Sequence, residues 1–414
     1  MQNTVTLHIT ALGGLGDGIA EYEGKRIYVP YTTEGDVVTA RIGEKTADGY
    51  RGHLIEVNIP SPRRQAAPCP YFAECGGCDL QHLSNEDYSA FKLSRAKQAL
   101  AEAGYDPALL TLLHRIPVAS RRRAEFKIDG PNLGFFKGGT NEVVPIDQCL
   151  ILAPAIDALI QPLAALVKNM NGIKTISLTK ADNTLDMFVK CSKPLDEISK
   201  NTFVTFAKIH MIGRLTENVG DKTIVRYLSE MPVVTNGTTP VELPVGAFLQ
   251  ASHESQELLT NWVVKQVGKK KRVLDIFSGI GTYSLPLAEK GLNVTAYEGS
   301  REMVDTLNRA AKQHGIRSLK AEVVDLVKNP VDIETLSAAN CIVINPPRPG
   351  AAAQTRTIAA SSLKEVVMVS CNPASFARDA KMLHKAGFRI TNVEALDQFT
   401  YSTHLEIMAK FVRN

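Results

Sequence analysis

Hydrophobic and polar positions alternate with a period of two over much of the first sixty residues, in short runs separated by glycine. The runs at residues 4–10, 25–29, 36–42 and 53–57 predict short strands, and four glycines within 13–18 predict a tight turn. Short strands at this spacing in so small a unit predict a small closed barrel. Barrels of this size often bind oligonucleotides, although many serve other purposes.

The pattern changes after a proline-bearing stretch at 60–64, which predicts a domain boundary. Residues 84–104 then have the spacing of a helix, with Ser84 as its cap and Asp87 three residues on in the place of the usual Glu or Gln. Residues from 118 to about 245 predict a mixed region that is mainly β, with a helix around 153–170.

From about residue 255 helical and strand-like segments alternate to the end of the chain, which predicts a parallel sheet with crossover helices. A chain of 414 residues is long enough for two or three cores. We therefore expect an N-terminal β-barrel at 1–60, a central and mainly β domain at 61–250, and an α/β domain at 251–414.

Composition excludes some classes of protein and leaves others open. Hydrophobic residues make up 44% and charged residues 22% of the chain, with no apolar run of membrane-spanning length. The first residues lack the features of a signal peptide, so we expect a cytoplasmic protein without a membrane partner. Net charge is only +4, but basic runs stand at 63–64, 121–123 and 269–272. Each run can neutralise phosphates or can equally be a solvated loop or helix end.

An apolar strand at 273–277 runs into a glycine turn with Gly279 and Gly281, where a ligand can approach the backbone closely. Glu298 follows the next strand, at the place where an acidic side chain can bind two ribose hydroxyls. The third glycine of the dinucleotide fingerprint is absent. S-adenosylmethionine (SAM) has no phosphate and needs no such cradle, so a ligand of this kind fits the loop.

Two later strands end in turns that carry chemistry. One ends in Asn345-Pro346-Pro347-Arg348, and the next ends in Ser370-Cys371-Asn372-Pro373. In open α/β sheets ligands bind at this carboxyl edge, and a thiolate is favoured near the helix start at Ala374. Cys371 is therefore a candidate nucleophile, and Glu406, at the start of the last strand, is of interest only in combination with it.

Seven cysteines, an odd number, argue against a disulfide framework. Cys191 and Cys341 lie within apolar strands and are expected to be buried structural thiols. The remaining set offers four thiolates for a metal: Cys69, Cys75, Cys78 and Cys149. Such a set can hold a [4Fe-4S] cluster or a zinc ion, and its three-plus-one spacing favours the cuboidal cluster.

Together these motifs resemble the RNA uracil-C5 methyltransferases, and within them the 23S ribosomal RNA branch with a TRAM domain and a [4Fe-4S] cluster. The resemblance is carried by residues 13–42, by the four cysteines and by 245–414. It implies a Rossmann-like SAM-dependent methyltransferase domain, an N-terminal OB-like β-barrel (TRAM), and a central mainly β domain that holds the iron–sulfur cluster.

The resemblance also implies roles for single residues. Cys371 corresponds to the catalytic cysteine and Glu406 to the general base. The implied cofactor contacts are Gln250, Phe277, Thr282, Glu298, Asp325 and Asn345. The chain departs from the family pattern at Asn345, usually Asp, and at Thr282, often Asn. It also lacks the proline that usually precedes the His-x-Glu segment, and it has Ser252 in place of Asn.

The implied function is transfer of a methyl group from SAM to C5 of a specific uridine in 23S ribosomal RNA, through a covalent bond between Cys371 and C6. RNA is the expected partner, and no obligate protein partner is expected. Three alternatives stay open: the same chemistry on tRNA, methylation of an exocyclic amine, and RNA binding without catalysis. The second is weakened because Asn345-Pro346-Pro347 is followed by Arg348 and not by an aromatic residue.

Overall fold

The structure, a computed structural model, describes residues 4–414. The first three residues, Met1, Gln2 and Asn3, lie outside the described residues. The expectation that the first residues lack a signal peptide falls partly on them. The chain divides into two compact units: residues up to 95 with 135–144 and 399–404, and residues 96–134 with 145–398 and 405–414. Between residues 4 and 414, no helix combines the length and apolarity needed to cross a bilayer. The expected three-domain division stays a prediction.

The first unit contains a six-stranded sheet built from the alternating segments. Its strands are β1 (Thr4–His8), β2 (Ala11–Leu12), β3 (Gly18–Tyr22), β4 (Lys25–Val29), β5 (Val37–Lys45) and β6 (Tyr50–Ile59). The inward-facing positions Leu7, Ile27 and Val38 are fully buried, as a period of two requires. Burial of such side chains is worth about 1.5–3 kcal/mol each.

The strand order β1-β5-β6-β4-β3-β2 leaves β1 and β2 as edges. The expected closed barrel is therefore not found within residues 4–59. The physical reason is the length of β2, because two residues offer too short an edge for a closing ladder. The assignment of this unit as an OB-like TRAM domain stays a prediction.

Helix α1 (Asn85–Ala103) begins where the sequence predicts it. The hydroxyl of Ser84 accepts a hydrogen bond from the Asp87 N–H at 3.1 Å and donates to the Asp87 carboxylate at 2.6 Å. The predicted cap is thus confirmed.

The central region forms a seven-stranded sheet with helices beside it. In chain order the elements are β7 (Leu113–Arg115), β8 (Arg123–Asp129), β9 (Asn132–Phe136), β10 (Val143–Pro145), α2 (Pro154–Asp157), α3 (Ile160–Val167), β11 (Ile173–Lys180), β12 (Leu185–Cys191), α4 (Glu197–Ile209), β13 (Ile212–Val219), β14 (Lys222–Leu228), β15 (Val233–Asn236) and β16 (Thr239–Glu242). The sheet order is β10-β9-β8-β11-β12-β13-β14, and β15 pairs with β16 separately.

The mainly β character of this region is confirmed, and two helical details differ from expectation. The single helix expected at 153–170 is two short helices, α2 and α3. Helix α4 was not predicted, although Asp196 caps it by accepting from the Ser199 N–H at 2.7 Å. It is the crossover between β12 and β13, the one parallel pair among the ladders described for this sheet.

The C-terminal region forms the α/β sheet. Its elements are α5 (His253–Val267), β17 (Arg272–Ile276), α6 (Ser284–Glu289), β18 (Asn293–Glu298), α7 (Arg301–Gln313), β19 (Leu319–Val323), α8 (Ile333–Ser337), β20 (Cys341–Ile344), α9 (Ala352–Ala360), β21 (Glu365–Ser370), α10 (Pro373–Lys385), β22 (Arg389–Asp397) and β23 (Glu406–Val412). With β7 they form an eight-stranded sheet in the order β19-β18-β17-β20-β21-β23-β22-β7.

The parallel sheet expected from the alternation is found for β17 to β21 but not for the last strand. Strand β23 runs antiparallel to both β21 and β22. The reason is the connection at 398–405, which contains no crossover helix and so returns the chain in the opposite direction. As a result the amino end of β23 meets the carboxyl end of β21, where Ser370 pairs with Ile407.

Candidate active site

The carboxyl ends of the parallel strands bring the predicted site residues to one edge of the sheet. Phe277 follows β17, Glu298 ends β18, Asn345 follows β20 and Cys371 follows β21. Because β23 is antiparallel, its first residue, Glu406, lies at this same edge. The structure thus places these predicted residues together, although they span 130 positions of sequence.

The glycine loop after β17 has an unusual backbone. Phe277, Gly279 and Gly281 all have positive φ, at 66°, 56° and 85°. A bulky residue at positive φ is a strained outlier, and such strain concentrates at functional sites. Two hydrogen bonds hold this turn, from the N–H groups of Phe277 and Ser278 to the Tyr297 carbonyl at 3.0 and 3.1 Å.

Glu298 is bound to the same loop. One carboxylate oxygen accepts from the Gly279 N–H at 3.0 Å and the other from the Ser300 N–H at 2.9 Å. A side chain built on Gly279 would meet open space, whereas the buried Ser278 hydroxyl has no partner within residues 4–414. An acidic side chain, an unpaired hydroxyl and room beside the backbone fit the nucleoside part of SAM.

Gln250 precedes α5 and is buried with its backbone held by an arginine. Arg122 donates from Nε to the Gln250 carbonyl at 2.9 Å and from Nη2 to the Gln256 side chain at 2.6 Å. Burial lowers the pKa of Arg122 to about 10. Neither phosphate contact nor solvation, the two interpretations left open for the run 121–123, holds for Arg122, because its guanidinium is buried and bonded to Gln250 and Gln256.

Cys371 lies between the end of β21 and Asn372, the cap of α10. Burial raises the pKa of its thiol to about 11; the Glu406 charge acts in the same direction and Arg348 opposes them. The helix start was expected to favour the thiolate, whereas the pKa of this thiol lies above its ordinary value. Desolvation is the largest effect on this thiol, and it disfavours the charged thiolate.

Glu406 is 3% exposed, and burial raises the pKa of its carboxyl to about 7. Gln398 donates to Glu406 Oε1 at 2.7 Å, while Glu406 Oε2 is buried without a partner among the described residues. A carboxyl near neutrality with one uncommitted oxygen is suited to proton transfer. Glu406, which was of interest in the sequence only in combination with Cys371, thus has the surroundings of an acid–base group.

The other predicted cofactor contacts lie at the same edge, where their hydrogen bonds are longer or their side chains more exposed. Asn345 Nδ2 lies 3.5 Å from the hydroxyl of Tyr283, which is a neutral contact. Thr282 is half-buried, and its carbonyl accepts from the Thr260 hydroxyl at 3.4 Å. Asp325 is exposed after β19, and hydrogen bonds led by the Lys328 N–H lower its pKa.

Comparison with known proteins identifies the family. The model of the tRNA (Uracil-5-)-methyltransferase family matches residues 113–412. The chain belongs to this family. It is accordingly a SAM-dependent RNA (uracil-C5-)-methyltransferase, as the sequence motifs indicate.

Relatives of this methyltransferase match over nearly the whole chain. A protein of Caulobacter vibrioides called an uncharacterized RNA methyltransferase is 34% identical and covers 98% of this chain and 99% of its own length. The Shewanella amazonensis 23S rRNA (uracil(1939)-C(5))-methyltransferase RlmD is 32% identical over 99% of this chain and 96% of its own. The structure of Pyrococcus abyssi tRNA (uracil-54, C5)-methyltransferase with S-adenosyl-L-homocysteine shares the fold, with a TM-score of 0.78 at 21% identity and full coverage of both chains.

The other basic runs of this methyltransferase are placed away from the site edge or already paired. Residues 269–272 precede and begin β17 at its amino end, and five strand residues span roughly 16 Å. Lys270 pairs with Glu365. In the first unit Arg63 pairs with Glu34 at 2.7 Å, and Arg64 with Asp36 at 2.6 Å.

The cysteines separate into two groups. Cys191 and Cys341 are buried, as expected, and burial raises both thiol pKa values to about 12. Cys69, Cys75 and Cys78 are half-buried in the first unit, where burial followed by the Cys69 charge raises the pKa of Cys75. Within residues 4–414 no group of three His, Cys, Asp or Glu residues is arranged to hold a metal ion. The cluster, with Cys149 as fourth ligand, stays a prediction.

The site roles of three polar residues were not predicted from the sequence. Gln398 contacts both Gln250 and Glu406, and Arg122 supports the Gln250 backbone. Tyr283 is buried beside Asn345, and burial followed by the Glu406 charge raises its pKa well above 10. Local sequence carries no signal for these roles, because each depends on partners that tertiary packing brings close.

Proposed function

We propose that this protein transfers a methyl group from SAM to C5 of a specific uridine in 23S ribosomal RNA through a covalent bond between Cys371 and C6. The observation that carries the chemistry is the position of Cys371 and Glu406 at one sheet edge beside the glycine loop. Support for the ribosomal substrate comes from relatives named as 23S rRNA methyltransferases that match along the full chain, such as the one from Shewanella amazonensis.

Covalent catalysis suits this reaction because uracil C5 is a poor nucleophile. The Cys371 thiol first loses its proton to solvent, and the thiolate adds to C6, which makes C5 enolate-like. With a thiol pKa of about 11, little thiolate exists at neutral pH, and Arg348 is the positive group that favours it. Formation of the thiolate is therefore a costly early step.

Release of the product needs a base. When bound, SAM would supply the methyl group to C5 and would leave as S-adenosylhomocysteine. Glu406 then takes the remaining C5 proton, the C–H electrons form the C5–C6 double bond, and the C6–S bond breaks to regenerate the Cys371 thiolate. A carboxyl whose pKa lies near 7 is partly ionised at neutral pH and can accept this proton.

The cofactor site would be built from residues along the carboxyl edge of the sheet. The residues proposed to hold SAM are Gln250, Phe277, Thr282, Glu298, Asp325 and Asn345. Glu298 is suited to the ribose hydroxyls, because its lone pairs exceed the two N–H bonds that it accepts. Asn345 replaces a carboxylate with a neutral amide, so its contact with a ligand is a neutral hydrogen bond.

The four thiols Cys69, Cys75, Cys78 and Cys149 are proposed as ligands of a [4Fe-4S] cluster. Their spacing and soft donor chemistry support it. The methyl transfer includes no redox step, so the role proposed for the cluster is structural. The six-stranded N-terminal sheet is proposed to hold the RNA around the target base, which must leave its stack to reach Cys371.

A second candidate substrate is tRNA, with the same chemistry. The description of the matching family model and the name of the Pyrococcus abyssi protein both refer to tRNA. The two substrates require the same residues at the sheet edge. They are separated only by the RNA that is supplied.

The test is tritium release from C5-labelled uridine in unmodified 23S ribosomal RNA, with a parallel reaction on unmodified tRNA, using SAM and anaerobically prepared protein. Cys371→Ala is expected to abolish release and the covalent adduct, whereas Glu406→Gln is expected to accumulate the adduct. If tritium were released from tRNA and not from 23S ribosomal RNA, tRNA would replace ribosomal RNA as the proposed substrate. Methylation by the Cys371→Ala variant would overturn the covalent mechanism.

A further inference from the structure

A single buried amide, that of Gln398, joins the two halves of the candidate site. Gln398 directly follows β22 and is 5% exposed. Its Nε2 donates to Gln250 Oε1 at 3.0 Å and to Glu406 Oε1 at 2.7 Å. Its Oε1 accepts from the Ala251 N–H at 3.1 Å. Gln398 thus contacts one residue proposed for cofactor binding and one proposed as the base.

The orientation of the Gln398 amide follows from its surroundings. Both of its N–H groups have oxygen acceptors, and its oxygen has a backbone donor. The opposite orientation would set the oxygen against the two acceptors and the NH₂ group against the Ala251 N–H. The N–H groups and the oxygen of this amide therefore all have hydrogen-bond partners in only one of its two orientations.

This arrangement distinguishes the two oxygens of Glu406. Oε1 accepts the Gln398 hydrogen bond, and Oε2 is buried without a partner among residues 4–414. A proton on Oε1 would oppose the Gln398 N–H, so Oε2 is the oxygen on which a proton can reside. Gln398 thereby directs Oε2 toward the role of proton acceptor.

The same amide determines what Gln250 can offer to a ligand. Gln250 Oε1 already accepts from Gln398, so the Gln250 side chain presents its NH₂ group as a donor. A donor at this place suits an oxygen acceptor such as a ribose or carboxylate oxygen. Arg122 holds the backbone of Gln250 from the other side.

We infer that Gln398 is a positioning residue that holds the base Glu406 and the cofactor-binding Gln250 in a single arrangement. The inference rests on the proposed function, because it takes Glu406 as the base. In this arrangement the hydrogen bond from Gln398 favours the ionised form of Glu406 against its burial.

The other titratable groups that act on Glu406 belong to two neighbouring turns. Cys371 follows β21, and Tyr283 precedes α6. Neither carries a charge at neutral pH, since both pKa values are raised. Loss of the Gln398 hydrogen bond therefore leaves burial unopposed and moves the pKa of Glu406 upward.

The experiment compares the pH dependence of tritium release for wild type, Gln398→Met and Gln398→Glu. Release requires ionised Glu406, so the acidic limb of the profile moves to higher pH when its pKa rises. Thiolate formation at Cys371 raises release with pH in every variant, so each rate is divided by the wild-type rate at the same pH. On this scale we expect Gln398→Met to lower release roughly ten-fold at pH 7 and to recover at about pH 9. Gln398→Glu keeps the shape of the side chain but lacks the NH₂ donor. The acidic limb of its pH profile should move to higher pH at least as far as that of Gln398→Met.

Two further readouts separate positioning from a general structural effect. A loss of folded protein that is equal at every pH leaves the midpoint of the profile unchanged. S-adenosylhomocysteine affinity should weaken several-fold with Gln250 unsupported. The matched control is Gln354→Met, which removes another buried amide with three hydrogen bonds on α9. It should leave both the midpoint and the affinity unchanged.

The outcomes distinguish this inference from the proposed function. An unchanged midpoint in Gln398→Met, with release reduced equally at every pH, would overturn the positioning role while Cys371-dependent release in wild type still supports the chemistry. If wild-type release does not depend on Cys371, the proposed function fails first, and the role of Gln398 toward a base fails with it.

Discussion

Arg122 and Gln250 are 128 residues apart in sequence, yet Arg122 Nε donates to the Gln250 carbonyl at 2.9 Å. The backbone N–H of Arg122 also donates to the Ala251 carbonyl at 2.9 Å. Its Nη2 reaches Gln256, whose Nε2 in turn donates to Asn236. A cation from a basic run thus organises the loop in front of α5.

Replacement of Arg122 by Met should lower the free energy of unfolding by about 2–4 kcal/mol, because buried acceptors lose a charged donor. S-adenosylhomocysteine affinity should fall several-fold as the Gln250 backbone loses its support. Urea unfolding and calorimetric titration measure the two effects. Arg121→Met is the matched control, since Arg121 is only half-buried. Weaker RNA binding with unchanged cofactor affinity would instead assign Arg122 to phosphate contact.

Replacement of Glu298 by Gln should weaken S-adenosylhomocysteine binding about ten-fold or more. Glu298 accepts N–H groups from Gly279 and Ser300 with its two oxygens, and an amide can accept only one of them. Glu302→Gln, on the exposed first turn of α7, is the control and should bind normally. Equal affinities for both variants in calorimetric titration would remove Glu298 from the cofactor site.

Gly281→Ala should destabilise the protein by about 1–3 kcal/mol and weaken cofactor binding. A Cβ there would lie 2.4 Å from Leu307 Cδ1, in a residue with φ of 85°. Gly291→Ala has φ of 81° but meets nothing within 4 Å, so it isolates the backbone cost. Thermal unfolding should show the larger loss for Gly281→Ala. Matching losses would mean that the contact with Leu307 is unimportant.

The stability of the protein should depend on the ionisation of Glu406. Its pKa rises from the ordinary value of 4.5 to about 7, so the folded state favours the protonated form. This contribution is complete below pH 4.5 and is lost as pH rises through 7, by an amount on the order of 3 kcal/mol. Glu406→Gln cannot ionise and should be more stable than wild type at pH 8 but not at pH 4. Parallel pH slopes for the two proteins in urea unfolding would contradict this.

Anaerobically purified protein should contain iron and acid-labile sulfide in about equal amounts, because a [4Fe-4S] cluster holds four of each. Cys75→Ser should lose both and should unfold at a lower temperature. Cys191→Ala, which removes a buried thiol from β12, is the control and should retain the cluster. Absence of iron from the anaerobic wild type would rule out the cluster.

Much of the α/β region follows from local sequence. Strands such as β20 and β21 are apolar runs that stop at Asn-Pro or Ser-Cys-Asn-Pro turns, so their ends are predicted within about one residue. Helix α5 belongs to the helical pattern predicted from about residue 255, and the structure adds Ser252 as its cap. The direction of β23 could not be predicted, since it depends on which neighbour the strand pairs with and not on its own residues.

The sequence alone determined which residues have reactive chemistry, namely the Cys371 thiol, the Glu298 carboxylate and the glycines of the loop after β17. These are local properties of side chains and turns. Only the tertiary structure decided the protonation of Cys371 and Glu406, the interior position of Arg122 and the link through Gln398. Burial and long-range hydrogen bonds set these features, and both depend on residues that are distant in sequence and adjacent only after folding.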